Sequence, residues 1–175
     1  MPALKPIIAF LALLGMAGHS SAGAAPACPV LKARYVLKAD ASFTAGFAAS
    51  ARGKADLLWV ASAKTGATYW FLMDIGNGYT DTYLYAVADP ATTGGEARQL
   101  KQAGDLMTIS LYEMDENLAV ASQPAAGLAT APRYLFAPAL GINLYYFSSV
   151  FGRSANDREV MPRSLFELAS CNGPA

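Results

Sequence analysis

ADLLWVASAKTGATYWFLMDIGNGYTDTYLYAVA is the sequence of residues 55–88, and its β-branched and aromatic runs predict a three-stranded antiparallel meander. We expect strands at Leu57–Lys64, Ala67–Asp74 and Tyr79–Ala88. Thr65-Gly66 is typical of a tight hairpin connection. Asn77-Gly78 is a stronger turn signal, because a type I′ turn needs positive φ at both central residues and Asn and Gly adopt it at the least cost.

The two turns, taken as two-residue turns, determine which side chains share a face of this meander. Because side chains alternate between faces, the count from Asn77-Gly78 pairs Asp74 with Asp81 and Trp70 with Tyr85. The expected face then carries Trp59 beside Leu72, together with Trp70, Asp74, Asp81, Tyr83 and Tyr85. The opposite face is apolar as well. We therefore expect a curved sheet or small barrel whose two faces are both at least partly covered.

The expected pairing of Asp74 with Asp81 is unusual, because like charges directly opposite each other destabilise a sheet. Such a pair needs a raised pKa, a bound cation or ample water. A three-residue turn at 76–78 is the alternative. It would pair Asp74 with Thr80 and leave each aspartate as an ordinary solvated or turn-capping residue.

Residues 1–24 have the features of a secretory signal peptide that is not part of the fold. Lys5 supplies the positive charge, Ile7–Met16 is an apolar run too short to span a bilayer comfortably, and Ala22-Gly23-Ala24 gives the small-residue cleavage pattern. Cleavage after Ala27 is an alternative. Acylation of Cys28 is another, although the residue pattern before it is not typical of a lipoprotein.

The mature chain that this leader implies has a composition that excludes several partners and chemistries. Loss of Lys5 leaves twelve basic and thirteen acidic residues, a formal charge of −1, and the basic residues are scattered. We therefore expect no footprint for nucleic acid or for an anionic membrane surface. No transmembrane span is expected after signal cleavage. The single histidine, His19, lies in the leader, so Ser-His-Asp sites, Cys-His sites and histidine-bearing zinc sites are excluded. No cofactor and no metal site is indicated.

Residues 25–175 have the length of one domain, and Cys28 and Cys171 lie near its two ends. In an exported protein this placement favours one disulfide that joins the termini, and acylated or free thiols are the alternatives. We expect further strands at Lys32–Lys38, Ser42–Ala48, Asp105–Met114, Arg133–Ala137 and Ile142–Ser149, with a short helix from Pro162 to Cys171. The expected fold is a mainly β, antiparallel small barrel or sandwich of about six to eight strands with a short C-terminal helix.

The candidate ligand-binding residues are the aromatic and acidic side chains of the meander, Trp59, Trp70, Asp74, Asp81, Tyr83 and Tyr85. Stacking aromatics beside carboxylates are typical of sugar-binding sites, although the same aromatics could also form the core. We expect an exported, periplasmic or secreted binding or inhibitor-like module rather than an enzyme, and its partner would be a small molecule, a glycan or an envelope protein. The binding element could also be the long loop Leu118–Pro132.

Two other function classes stay open. A carboxylate-only hydrolase acting on glycans would use Asp74 and Asp81 as its catalytic pair. A structural cell-envelope protein would show a large exposed apolar patch and a stable oligomer.

Overall fold

The fold, described by a computed structural model for residues 27–75, 82–100, 108–121 and 129–172, is a closed antiparallel β-barrel of eight strands. The strands are β1 (Arg34–Leu37), β2 (Phe43–Ala48), β3 (Leu57–Ser62), β4 (Thr68–Ile75), β5 (Thr82–Val87), β6 (Ile109–Met114), β7 (Tyr134–Phe136) and β8 (Phe166–Ser170). One α-helix, α1 (Leu140–Tyr146), lies between β7 and β8. Short 3-10 helices occupy Val30–Lys32, Pro90–Thr92, Ser148–Phe151 and Ala155–Asp157. The predicted leader lies outside the described residues.

Each strand pairs with its neighbours in the sequence, and the barrel closes where β8 pairs with β1. Closure satisfies the backbone groups that an edge strand would leave unpaired. The predicted class, a small antiparallel barrel with a short helix near the C-terminus, is confirmed. No helix in the described ranges is long and apolar enough to cross a membrane.

The barrel interior is packed with side chains from alternate positions of the strands. Inward positions of β1 to β4 include Tyr35, Phe43, Val60, Tyr69 and Phe71, each at most 1% exposed. Leu84, Ile109, Leu135 and Phe166 continue this core around β5 to β8. The interior is therefore a core of large apolar side chains rather than an open ligand cavity among the described residues.

The connection between β7 and β8 covers one end of the barrel, which we call the capped end. Phe151 packs edge-on against the inward rings of Tyr69 and Phe71, with ring centroids 5.0 Å and 5.7 Å away. Leu140 and Leu144, one turn apart on α1, are buried in the same core. The cap thus contributes its own apolar side chains to the interior of the barrel.

A disulfide between Cys28 and Cys171 joins the two ends of the described chain, as the sequence predicts. Cys28 also accepts a backbone hydrogen bond from Ala131 at 2.7 Å, so the segment before β1 is bonded to the segment before β7. These contacts lie at the end of the barrel opposite the capped end. A disulfide fits an oxidising compartment.

The predictions for the C-terminal third were wrong in two places. Residues 142–149, expected as a strand, form most of α1 and the 3-10 helix after it. Residues 162–171, expected as a helix, contain β8 instead. Tertiary contacts explain both differences. The strand β8 closes the barrel between β7 and β1, and the apolar face of α1 covers the end of the barrel.

The meander is present, but its register differs from the expected one by two residues at both hairpins. Trp59 pairs with Trp70 rather than with Leu72. Tyr85 pairs with Leu72 rather than with Trp70. The connection from β3 to β4 is longer than a two-residue turn, since the N–H of Ser62 donates to the carbonyl of Ala67 at 2.9 Å. The predicted turn at Asn77-Gly78 lies outside the described residues.

Candidate ligand-binding face

The predicted aromatic and acidic residues lie on the outside of the barrel, on the face formed by β3, β4 and β5. The pairs Trp59 with Trp70 and Asp74 with Tyr83 lie directly opposite each other there. Because a shift of two residues preserves the alternation of faces, the register error did not change which side chains share a face. Tyr85 and Leu72 belong to the same surface, and Asp81 lies outside the described residues.

Trp59 lies flat against the barrel wall because its neighbour on β2 is a glycine. A β-carbon at Gly46 would lie 2.7 Å from Cε2 of Trp59 and 2.9 Å from the carbonyl oxygen of Ala33. The guanidinium of Arg34 stacks over the indole, 5.0 Å from the ring centroid. Arg34, Gly46, Trp59 and Trp70 are consecutive partners across four strands. The indole of Trp59 is thus held between a backbone surface and a cation.

Residues 88–97 cover part of this face. The carbonyl of Gly95 accepts a hydrogen bond from the N–H of Ala51 at 2.8 Å, which joins the connection after β5 to the connection after β2. Leu57 and Val87, whose side chains point outward, are at most 2% exposed and lie outside the barrel core cluster. Trp59, Trp70, Leu72, Tyr83 and Tyr85 are half-buried. Both faces of the meander are therefore at least partly covered, as predicted, and these aromatics are not part of the barrel interior.

A groove of about 350 Å³ remains between this loop and the sheet. Leu72 contributes the apolar part of its lining, and its ionisable groups are the carboxyls of Asp56 and Glu96 and the guanidinium of Arg52. Ser50, Ala51 and Ala97 complete the lining. The groove therefore combines an apolar wall with groups of both charges beside the aromatic residues of β4 and β5.

Two buried polar atoms on this side of the barrel have no hydrogen-bond partner among the described residues. They are Oδ1 of Asp56 and the indole Nε1 of Trp70. An unsatisfied buried donor or acceptor costs about 1–3 kcal/mol, and more when the group is charged. A ligand hydroxyl can accept from an indole and donate to a carboxylate, so it could satisfy either group.

The expected direct pairing of Asp74 with Asp81 was wrong, and so was its alternative. Asp74 is exposed and its cross-strand partner is Tyr83, so neither Asp81 nor Thr80 lies directly opposite it. The connection between β4 and β5, residues 76–81, lies outside the described residues. The hypothesis of a carboxylate-pair hydrolase assumed this direct pairing, which Asp74 and Asp81 do not form.

Sequence reasoning missed Arg52, Asp56 and Glu96, which line the groove. They lie in connections, at positions distant in sequence, and no local pattern indicates that the segments meet. Gly46 did carry a signal, because a glycine inside a strand often marks a close approach of another group. Its partner, the indole of Trp59, became evident only from the strand register.

A second polar cluster lies at the capped end, where the buried Glu159 is its centre. Glu159, 2% exposed, accepts hydrogen bonds from the hydroxyls of Ser62 at 3.0 Å, Tyr69 at 3.4 Å and Thr65. Burial, and then the nearby carboxylate of Glu159, raises the pKa of Tyr69 to about 12. Because this cluster joins the cap to β3, β4 and their connection, its evident effect is to hold the cap on the barrel.

Comparisons with protein-family models, with curated proteins and with solved structures found no match to this chain. Within the described ranges, no three His, Cys, Asp or Glu side chains are grouped so that they could hold a metal ion. Functional inference therefore depends on the geometry of the outer face.

Proposed function

We propose that this protein is an exported, non-enzymatic binding module that holds a sugar-ring ligand on the outer face of β3, β4 and β5. The observation that carries the proposal is the set of half-buried aromatics Trp59, Trp70 and Tyr85 next to a groove with polar lining. Aromatic rings stack against the C–H faces of sugars, and carboxylates bind their hydroxyls.

The unsatisfied atoms of Asp56 and Trp70 support this choice of ligand. Each is a single acceptor or donor beside apolar surface, which suits the alternating C–H and O–H groups of a sugar ring. Both atoms are buried, so a ligand can reach them only after the groups that cover them move. The terminal disulfide supports an extracytoplasmic location.

Intrinsic fluorescence tests the proposal directly, because the two tryptophans of the chain, Trp59 and Trp70, both lie on this face. We would titrate the mature protein with chitotetraose, cellotetraose, maltotetraose and a muramidase digest of peptidoglycan. A saturable change with at least one of them is expected. No saturable change with any of the four would contradict the proposal.

Variants locate the binding to this face. Trp70→Ala should abolish detectable binding, and Asp56→Asn should weaken it about tenfold, the value of one hydrogen bond to a charged group. Tyr112→Ala is the matched control, because Tyr112 is a half-buried outer aromatic on β6 that packs against Phe136. Binding measured by calorimetry that persists in Trp70→Ala, or that falls equally in Tyr112→Ala, would place the ligand elsewhere.

A further inference from the structure

The capped end carries an exposed apolar surface. Ile142, Tyr146 and Val160 are 52%, 68% and 72% exposed. Ile142 and Tyr146 lie one turn apart on α1. A β-carbon at Gly141 would come within 3.0 Å of the carbonyl oxygen of Met161, so residues 160 and 161 run directly against the start of this helix. The three side chains therefore belong to one surface.

Two exposed arginines contact α1 and the residues just before it. The guanidinium of Arg158 lies 5.2 Å from the ring centroid of Tyr145, and Nε of Arg163 donates to the carbonyl of Pro138 at 3.2 Å. Arg153 lies in the same connection, but its Nε is buried. We call Ile142, Tyr146 and Val160 together with Arg158 and Arg163 the cap patch.

The acidic groups of the same connection only partly offset these charges. Between residues 138 and 165 the carboxylates are Asp157, which accepts from the hydroxyl of Ser154 at 2.8 Å, and Glu159. Glu159 is buried and directed to the hydroxyls of the barrel. The exposed charged groups of the connection are therefore the guanidiniums of Arg158 and Arg163 and the carboxylate of Asp157, because Nε of Arg153 is buried.

We propose that the cap patch binds the surface of anionic phospholipid membranes. Aliphatic side chains that insert between headgroups, a tyrosine at the boundary and arginines that pair with lipid phosphates are the elements of interfacial binding. The proposal is independent of the ligand-binding face. It departs from the expectation drawn from the scattered basic residues, because the fold places Arg158 and Arg163 beside exposed apolar side chains. A patch of this size gives reversible, salt-sensitive binding rather than stable anchoring.

Charge and position favour a membrane over a second copy of the chain. In a two-fold contact through the cap patch, the arginines of one copy would face those of the other. A membrane with anionic headgroups is complementary to them instead. The disulfide lies at the opposite end of the barrel, so the termini would point away from the bilayer.

Vesicle cosedimentation of the mature protein tests the proposal. We would compare phosphatidylcholine vesicles with vesicles of equal parts phosphatidylcholine and phosphatidylglycerol. Binding to the anionic vesicles, and its loss in high salt, is expected. Absence of binding, or equal binding to both compositions, would overturn the proposal.

Two sets of variants with matched controls assign the binding to the cap patch. The double variant Ile142→Ser, Val160→Ser should reduce the vesicle partition coefficient about tenfold. The double variant Arg158→Gln, Arg163→Gln should reduce it by about fivefold for each arginine removed. Leu118→Ser with Val120→Ser is the control, since these residues are 54% and 55% exposed after β6, away from the capped end. An equal loss in the control would overturn the assignment.

Light scattering tests the alternative occupant, a second copy of the chain. A dimer that the Ile142→Ser, Val160→Ser variant dissociates would assign the surface to that second copy instead.

Discussion

The carboxylate of Glu159 and the hydroxyl of Ser62 form a buried hydrogen bond of 3.0 Å between residues 97 positions apart in the sequence. Ser62 ends β3, and Glu159 lies in the connection that caps the barrel. Tyr69 and Thr65 donate to the same carboxylate. This cluster provides three polar contacts between the cap and the barrel, in addition to the apolar packing of Phe151.

We expect Glu159→Gln to destabilise the protein by about 1–3 kcal/mol, because a buried carboxylate that accepts from three hydroxyls is replaced by an amide, one half of which is a donor. Glu167→Gln is the control. Glu167 forms partly exposed ion pairs with Lys38 and Arg133, which solvent screens, so they contribute little to stability. Urea unfolding followed by circular dichroism measures both. Equal midpoints for the two variants would show that the cluster does not stabilise the cap.

Gly141→Ala should destabilise the protein even though alanine is the better helix former. In an exposed helix the substitution would gain about 0.5–1 kcal/mol. Here the new methyl would meet the backbone carbonyl of Met161, and such overpacking costs about 1–3 kcal/mol. Ile142→Ala, at the exposed neighbouring position, should change stability by about 0.5 kcal/mol or less. A melting temperature that rises in Gly141→Ala would contradict the close packing of the cap.

Gly46→Ala should displace the indole of Trp59 and cost about 1–3 kcal/mol, because the added methyl overlaps the ring and approaches the carbonyl of Ala33. The free-energy cost of Gly46→Ala should be smaller in a Trp59→Ala background, so a double-mutant cycle isolates the overlap between the two side chains. Urea unfolding of the wild type, the two single variants and the double variant supplies the cycle, and tryptophan emission reports the displacement of the indole. Additive effects of the two substitutions would mean that Gly46 and Trp59 do not constrain each other.

Stability should decrease between about pH 10 and about pH 12 through Tyr69. Burial and Glu159 raise its pKa from the ordinary value of 10.0 to about 12. The unfolded chain therefore releases this proton at a lower pH than the native protein, so the stabilisation is complete below pH 10 and is lost as pH rises through 12.

Tyr69→Phe removes this contribution, so the difference in unfolding free energy between the two chains should shrink as pH rises through that window. Burial and Glu113 also raise the pKa of Tyr35, but Tyr35 is present in both chains and cancels in the comparison. Urea unfolding at several pH values provides the measurement. A difference that does not change with pH would show that the phenol of Tyr69 has the same pKa in both states.

Much of the candidate face could be predicted from the sequence, because it depends on alternation. Trp59, Trp70 and Tyr85 share a face in any register that differs by two residues. Which residues lie directly opposite depends on the turn between two strands, and the residues Thr65-Gly66 did not reveal the longer connection between β3 and β4. The partner of Asp74 depends instead on the connection between β4 and β5, which lies outside the described residues. The groove formed by Asp56 and Glu96 could not be predicted, since it requires two distant connections to meet.

The sequence by itself determined the antiparallel β class, most of the strands from β1 to β7 and the pairing of Cys28 with Cys171, because alternation, turn residues and cysteine count are local or simple properties. Only the tertiary structure decided the C-terminal third. Residues 142–149 combine tyrosines and isoleucine that suit a strand, and Phe166–Ser170 contains Glu, Leu and Ala, which suit a helix. Closure of the barrel reversed both preferences, because β1 and β7 needed a strand between them and the end of the barrel needed an apolar helix to cover it.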